Sequence, residues 1–146
     1  MRVLVSAGDP SGDYYGALLA HQMRKIAPDI EIVGLGGKHL VNEGAELIAS
    51  TDSSRHMGIT ELKSGIGPIV GAWRRMSKAL QNSDLLITID YPEFNIRLAR
   101  RAKKRQVPVL WFLPPQVWAW RPWRAKAVAL SVDALVVTFP WERELY

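Results

Sequence analysis

The chain has 146 residues, 48% of them hydrophobic and 23% charged, with a formal net charge of +5. That balance belongs to one globular domain and excludes a disordered or fibrous polypeptide. Cysteine is absent, which removes disulfides and thiolate metal sites, and no run of roughly 18 apolar residues reads as a membrane-spanning helix.

Three scattered histidines, His21, His39 and His56, have no metal-ligand spacing. The first residues enter a turn too soon for a signal peptide, so the expected location is cytoplasmic. The positive charge favours an anionic partner: phosphate, nucleic acid or an acidic lipid surface.

In chain order, residues 2–7 read as a short apolar strand. Gly8-Asp9-Pro10-Ser11-Gly12-Asp13 reads as a turn, with Ser11 or Asp13 as the cap of the next helix. Leu18, Leu19, Met23 and Ile26 recur at helical spacing, which predicts a helix over 14–26 that ends before Pro28. A strand over 30–35, a short helix over 38–43 closed by Gly44, and a strand over 45–49 follow. Residues 51–58 are polar and irregular. An amphipathic helix is predicted over 68–81, a doubly buried strand over 84–90 and a basic helix over 93–105. A strand over 107–113 runs into a stiff tryptophan-rich loop, then come a helix over 124–131, a strand over 132–138 and the first turns of a helix from Trp141. Alternating strands and helices predict a single α/β Rossmann-like domain over 1–146, with three layers and a mainly parallel sheet.

Four segments carry candidate chemistry. The turn Gly8 to Asp13 can present backbone N–H groups, with Gly8, Asp9, Ser11 and Gly12, to a phosphate or a polyol; equally, it is a tight turn that uses glycine geometry. It is neither Gly-x-Gly-x-x-Gly nor a P-loop, whose lysine is missing. Asp90 ends a buried strand in Ile89-Asp90-Tyr91-Pro92-Glu93-Phe94-Asn95. Partial burial there would raise its carboxyl pKa and make it a better base, while the structural alternative is an N-cap for the helix opened by Pro92. Glu93 suits the helix dipole, and Asn95 could orient Asp90 or a substrate.

The third segment is Pro114-Pro115-Gln116-Val117-Trp118-Ala119-Trp120-Arg121. Its indoles could wall a sugar or acyl site, with Arg121 as a cation for phosphate, or could plug the sheet edge with Arg121 stacked on them. The fourth is the stripe Ile66, Ile69, Val70, Trp73, Met76 and Leu80 beside Arg74 and Arg75. Core packing is its ordinary explanation; a tryptophan beside two arginines also fits an interfacial membrane helix. The cations of the 93–105 helix complement its dipole or meet anionic headgroups. Nucleic-acid binding is not expected, because no aromatic residues are interleaved among those charges.

In their order, the motifs Gly8 to Asp13, Met57-Gly58-Ile59-Thr60-Glu61, Ile89 to Asn95 and Pro115 to Arg121 resemble the N-terminal portion of the lipid-A-disaccharide synthase family, bacterial glycosyltransferases of the GT-B type. The resemblance covers essentially the whole chain. Where the family usually has Gly-Glu-x-Ser-Gly-Asp, this chain has Asp9 and Pro10. The resemblance implies inverting transfer of diacylglucosamine from UDP-2,3-diacylglucosamine to 2,3-diacylglucosamine 1-phosphate (lipid X), releasing UDP, in lipid A biosynthesis. It implies Asp90 as the base, Gly8 to Gly12, Asn95 and Gln116 to Arg121 as crevice residues, and no metal or other cofactor. Membrane contact falls to Ile66, Ile69, Val70, Trp73, Arg74 and Arg75, on the anionic inner-membrane surface. UDP is expected mainly on a second, C-terminal domain, so this chain is expected to be the acceptor-side half, truncated after Tyr146. The competing expectations are a non-catalytic lipid- or partner-binding module of the same fold, and a generic nucleotide-binding domain.

Overall fold

The computed structural model describes residues 1–51 and 66–146, apart from the side chains of Ile66 and Trp120. The motif over 57–61 lies outside the described residues. Six parallel strands form one sheet: β1 (Arg2–Ala7), β2 (Glu31–Gly36), β3 (Glu46–Ser50), β4 (Leu85–Ile89), β5 (Val109–Phe112) and β6 (Ala134–Val136), in the order β3-β2-β1-β4-β5-β6. Helices α1 (Pro10–Ile26), α2 (Lys38–Asn42), α3 (Ile66–Ala79), α4 (Pro92–Lys103), α5 (Val117–Trp120) and α6 (Ala125–Ala129) connect them. This is a Rossmann-like α/β arrangement. The chain leaves β3 and crosses back over β1 to β4, so the strand order reverses between β1 and β4. Ligands of open α/β sheets bind at such a reversal, beyond the carboxyl ends of the strands.

Strand side chains alternate between faces, and here both faces are covered. Val3, Val5, Ala7, Ile87 and Ile89 share a core with Ala20 of α1 and Leu40 of α2. On the other face, Leu4 and Leu86 meet Met76 of α3 and Phe94, Leu98 and Ala99 of α4. Each large aliphatic side chain buried this way contributes roughly 1.5–3 kcal/mol. Ser6 belongs to the α4 side as well, as its bond to Asn95 shows.

Several boundaries differ from the sequence reading. Helix α1 starts at Pro10 rather than at residue 14, and its cap is Asp9, not Ser11 or Asp13. The Asp9 carboxylate accepts from the Gly12 amide at 2.7 Å and from the Ser11 hydroxyl at 2.6 Å. Pro10 then occupies the first turn, where its missing N–H costs nothing. Asp13 is buried and serves α2 instead: it accepts from the backbone amides of Gly37, His39 and Leu40. The expected stiff loop after β5 contains a helical turn, α5, and the chain's last element is a 3₁₀ turn over Pro140–Glu144. Gly44 follows α2 with φ of 79°, the left-handed geometry expected of it.

Candidate functional site

A cleft of about 750 Å³ opens beyond the carboxyl ends of the central strands. Ser11, Gly12 and Tyr15 of α1 form one side, Leu113 to Val117 the other, and Ile89 and Asp90 lie between them. Pro92, Glu93, Arg121, Arg124 and Thr138 complete the lining. A volume in this range suits a small-molecule site.

Asp90 is placed by an unusual backbone. It and Tyr91 follow one another with φ of 42° and 48°, and Leu113 across the cleft has φ of 55°. Non-glycine residues in that region cost of order 1–3 kcal/mol each, although Asp tolerates it better than most. Such strain gathers at functional sites. The turn lets the chain leave β4 and enter α4 while the Asp90 side chain stays on the cleft. The N-cap of α4 is Tyr91, and no side chain caps it. Asp90 is therefore not spent on holding the helix, the structural role that the sequence left open.

Burial, and after it the Asp9 carboxylate, hold the Asp90 carboxyl above the ordinary carboxylate range, against a lowering hydrogen bond from the Tyr91 backbone; Glu93 adds a smaller upward push. Glu93 itself is lowered, chiefly by its hydrogen bond with Arg124. Arg121 reaches the same Glu93 oxygen at 3.6 Å. Two guanidinium groups thus share one carboxylate at the cleft edge, leaving a net positive corner beside a partly buried acid. The pairs are exposed, so their value is positional rather than stabilising.

The predicted site residues divide into three groups. Asp90, Ser11, Gly12, Gln116 and Arg121 line the cleft together. Gly8, Asp9 and Asn95 stand behind the lining. A Cβ on Gly8 would sit 2.0 Å from the Tyr91 ring, so Gly8 exists there to admit that ring. Asp9 caps α1, and Asn95 is fully buried with no surface to offer a substrate. Trp118 belongs to neither group. Its ring meets Trp141 edge to face at 5.2 Å, and its Nε1 donates to Glu142 at 3.1 Å. The expected indole wall on the Trp118 side is therefore replaced by Pro114, Pro115 and Val117. Buried Glu142 also accepts from the Thr138 and Phe139 amides, which fastens the terminal turn to the cleft-forming loop. The side chain of Trp120 lies outside the described residues.

Sequence reasoning missed Tyr15 and Thr138 as lining residues. Tyr15 had a legible signal: it lies one helical turn beyond Ser11 and Gly12 once α1 starts at Pro10. Thr138 had none, because its place depends on β6 joining the sheet. Among the described residues, no group of three or more His, Cys, Asp or Glu is arranged to hold a metal.

Replacing Asp9 by Asn gives a first test of the electrostatics. Asn caps helices about as well as Asp, so α1 survives. Removal of the Asp9 charge lowers the Asp90 pKa, so the acid limb of any activity that needs ionised Asp90 moves to lower pH. The kcat/KM profile of the Asp9→Asn variant checks this, and a limb at the original pH would disconnect the two carboxyls.

Comparison with known proteins bears on the same elements. The family model described as lipid-A-disaccharide synthetase matches residues 3–146. The chain is 42% identical over 146 residues to the lipid-A-disaccharide synthase of Syntrophus aciditrophicus, covering 99% of this chain and 38% of that protein. It is 40% identical over 148 residues to the lipid-A-disaccharide synthase of Syntrophotalea carbinolica, with the same coverage of 99% and 38%. It is 38% identical over 148 residues to lipid-A-disaccharide synthase 1 of Legionella pneumophila (strain Philadelphia 1), again covering 99% and 38%. The chain thus spans about 38% of the length of these curated relatives. Because the match runs from β1 through every strand that builds the cleft to the terminal turn, this chain belongs to the lipid-A-disaccharide synthetase family.

Proposed function

We propose that these residues form the acceptor-side, Rossmann-like half of a GT-B glycosyltransferase that makes the lipid A disaccharide. The observation that carries this reading is a partly buried carboxyl, Asp90, presented on a cleft at the strand-order reversal and not used as a helix cap. In the proposed reaction, a hydroxyl of lipid X gives its proton to ionised Asp90. Its oxygen attacks the anomeric carbon of UDP-2,3-diacylglucosamine from the face opposite UDP. The bond to the UDP oxygen breaks, the electron pair leaves with UDP, and the anomeric centre is inverted. A raised carboxyl pKa makes the ionised carboxylate a stronger base. The positive corner of Arg121 and Arg124 favours the anionic substrates. The donor nucleotide is assigned mainly to the further length that the relatives possess.

The test is to supply the complete natural polypeptide that carries these residues with UDP-2,3-diacylglucosamine and lipid X. Formation of a disaccharide of inverted anomeric configuration, with equal release of UDP, is expected. Equal turnover with a sugar acceptor that lacks acyl chains and phosphate would count against the lipid reading. The non-catalytic alternative predicts binding of lipid X by the complete polypeptide without disaccharide.

Membrane contact forms part of the same proposal, on the cytoplasmic face of the inner membrane. No helix among the described residues is long and apolar enough to cross a membrane. On α3, Ile69 is 38% and Val70 39% exposed, with Arg74 exposed beside them. Trp73 takes the other direction: it packs against the core and meets Phe94 edge to face at 5.7 Å. Met76 and Leu80 are buried. The exposed pair, rather than Trp73, would therefore enter the interface. Replacing Ile69 and Val70 together by Ser is expected to weaken co-sedimentation with anionic vesicles without unfolding the chain; unchanged co-sedimentation would remove α3 from the membrane.

A further inference from the structure

We infer that Asn95, together with Ser6, is a positioning residue that fixes the left-handed turn from which Asp90 reaches the cleft. The inference rests on the proposed role of Asp90. Asn95 lies in the first turns of α4 and is 0% exposed. Its amide nitrogen donates toward the carbonyls of Asp90 at 2.8 Å, Ile89 at 3.1 Å and Ser6 at 3.3 Å. Its amide oxygen accepts from the Ser6 hydroxyl at 2.6 Å. Ser6, also 0% exposed, sits beside Thr88 in the β1–β4 register.

One side chain therefore ties together the ends of both strands that flank the reversal. The amide can point only one way, because a flip would set its oxygen against three carbonyl oxygens. The Asp90 carbonyl held by Asn95 belongs to the residue whose φ is 42°, so the bond acts directly on the left-handed peptide. Without it, the chain can relax toward an ordinary strand-to-helix exit, and the carboxyl swings away from the cleft. Small displacements of a reacting group are expensive: about 1 Å can cost on the order of 10²-fold in rate.

Several groups act on the Asp90 carboxyl, so its titration reports its place among them. Burial does so, with Asp9 from the β1–α1 turn, the Tyr91 backbone from the turn itself and Glu93 from α4; Asp90 in turn helps to raise the Tyr146 hydroxyl. Arg121 and Arg124 act through Glu93.

The test uses Asn95→Ala and Ser6→Ala in the complete natural polypeptide, with Asp90→Asn as the reference. Disaccharide kinetics and carbon-13 NMR titration of the Asp90 carboxyl are read together. Asn95→Ala is expected to lower kcat on the order of 10²-fold, and Ser6→Ala about tenfold, with KM for the acceptor within about twofold because neither residue touches substrate. In both, the Asp90 carboxyl titrates closer to an ordinary carboxylate, since it has moved toward solvent. Folded variants with unchanged kcat and an unshifted Asp90 titration would overturn the inference. If Asn95→Ala does not fold, Ser6→Ala decides, as it deletes only a hydroxyl. An active Asp90→Asn enzyme would remove the proposed chemistry but leave the titration as the judge of positioning.

Discussion

With Asp90 as the proposed general base, Asp90→Asn in the complete natural polypeptide is expected to lower the kcat of disaccharide formation by about 10³-fold, within the 10²–10⁴ range of such a base. Asn is the informative substitution because it adopts left-handed backbone geometry readily, so the turn at φ of 42° survives the change. It keeps the size of the side chain but cannot accept the acceptor's proton. KM for both substrates should change little, because the lost interaction belongs to the transition state. Steady-state kinetics with an unchanged melting curve check the expectation. Turnover within a few-fold of the unaltered polypeptide would show that another group takes the proton, and Glu93, the other acid in the cleft lining, would be the next to test.

Asp13→Ala is expected to destabilise the fold by about 3 kcal/mol or more, measured by chemical denaturation, without touching the cleft. Three backbone amides depend on this carboxylate: Gly37 at 2.7 Å, His39 at 3.0 Å and Leu40 at 3.1 Å. They are donors at the start of α2, whose own cap, Gly37, has no side chain to offer. A hydrogen bond to a charged group is worth about 1.5–3 kcal/mol, and an orphaned buried donor costs about 1–3. The three bonds are not additive, but their loss together exceeds that of one ordinary cap. Asp13→Asn should be milder, since one oxygen can still serve Gly37 and Leu40 while its amide confronts the His39 N–H. A loss below about 1 kcal/mol for Asp13→Ala would mean that α2 finds its partners elsewhere.

The two carboxylates show how differently sequence position and tertiary position speak. Asp90 was legible because it ends an apolar run and precedes a helix-opening proline, which places it at the mouth of a parallel sheet whatever the packing details. Asp13 was not. In sequence it follows a glycine and precedes two tyrosines, and it reads as a cap for its own helix. Its actual partners lie more than twenty positions away. The placement of Trp118 was equally beyond the sequence. Two tryptophans around one alanine announce a special surface, but not whether the ring faces a ligand or a neighbour. Glu142 and Trp141, from the far end of the chain, decide that it faces them.

Short continuous apolar runs, helix-spaced stripes and proline and glycine punctuation determined by themselves the α/β class, the alternation of elements and the candidate base, because these depend on local backbone preference and burial. Only the tertiary structure decided which side chains share the cleft, that Asp13 serves α2 rather than its own helix, that Asn95 ties the Asp90 turn to Ser6 and that Trp73 turns inward. Those outcomes require hydrogen bonds and ring contacts between residues far apart in the chain. Such contacts exist only once the sheet order has brought β1, β4, β5 and β6 side by side.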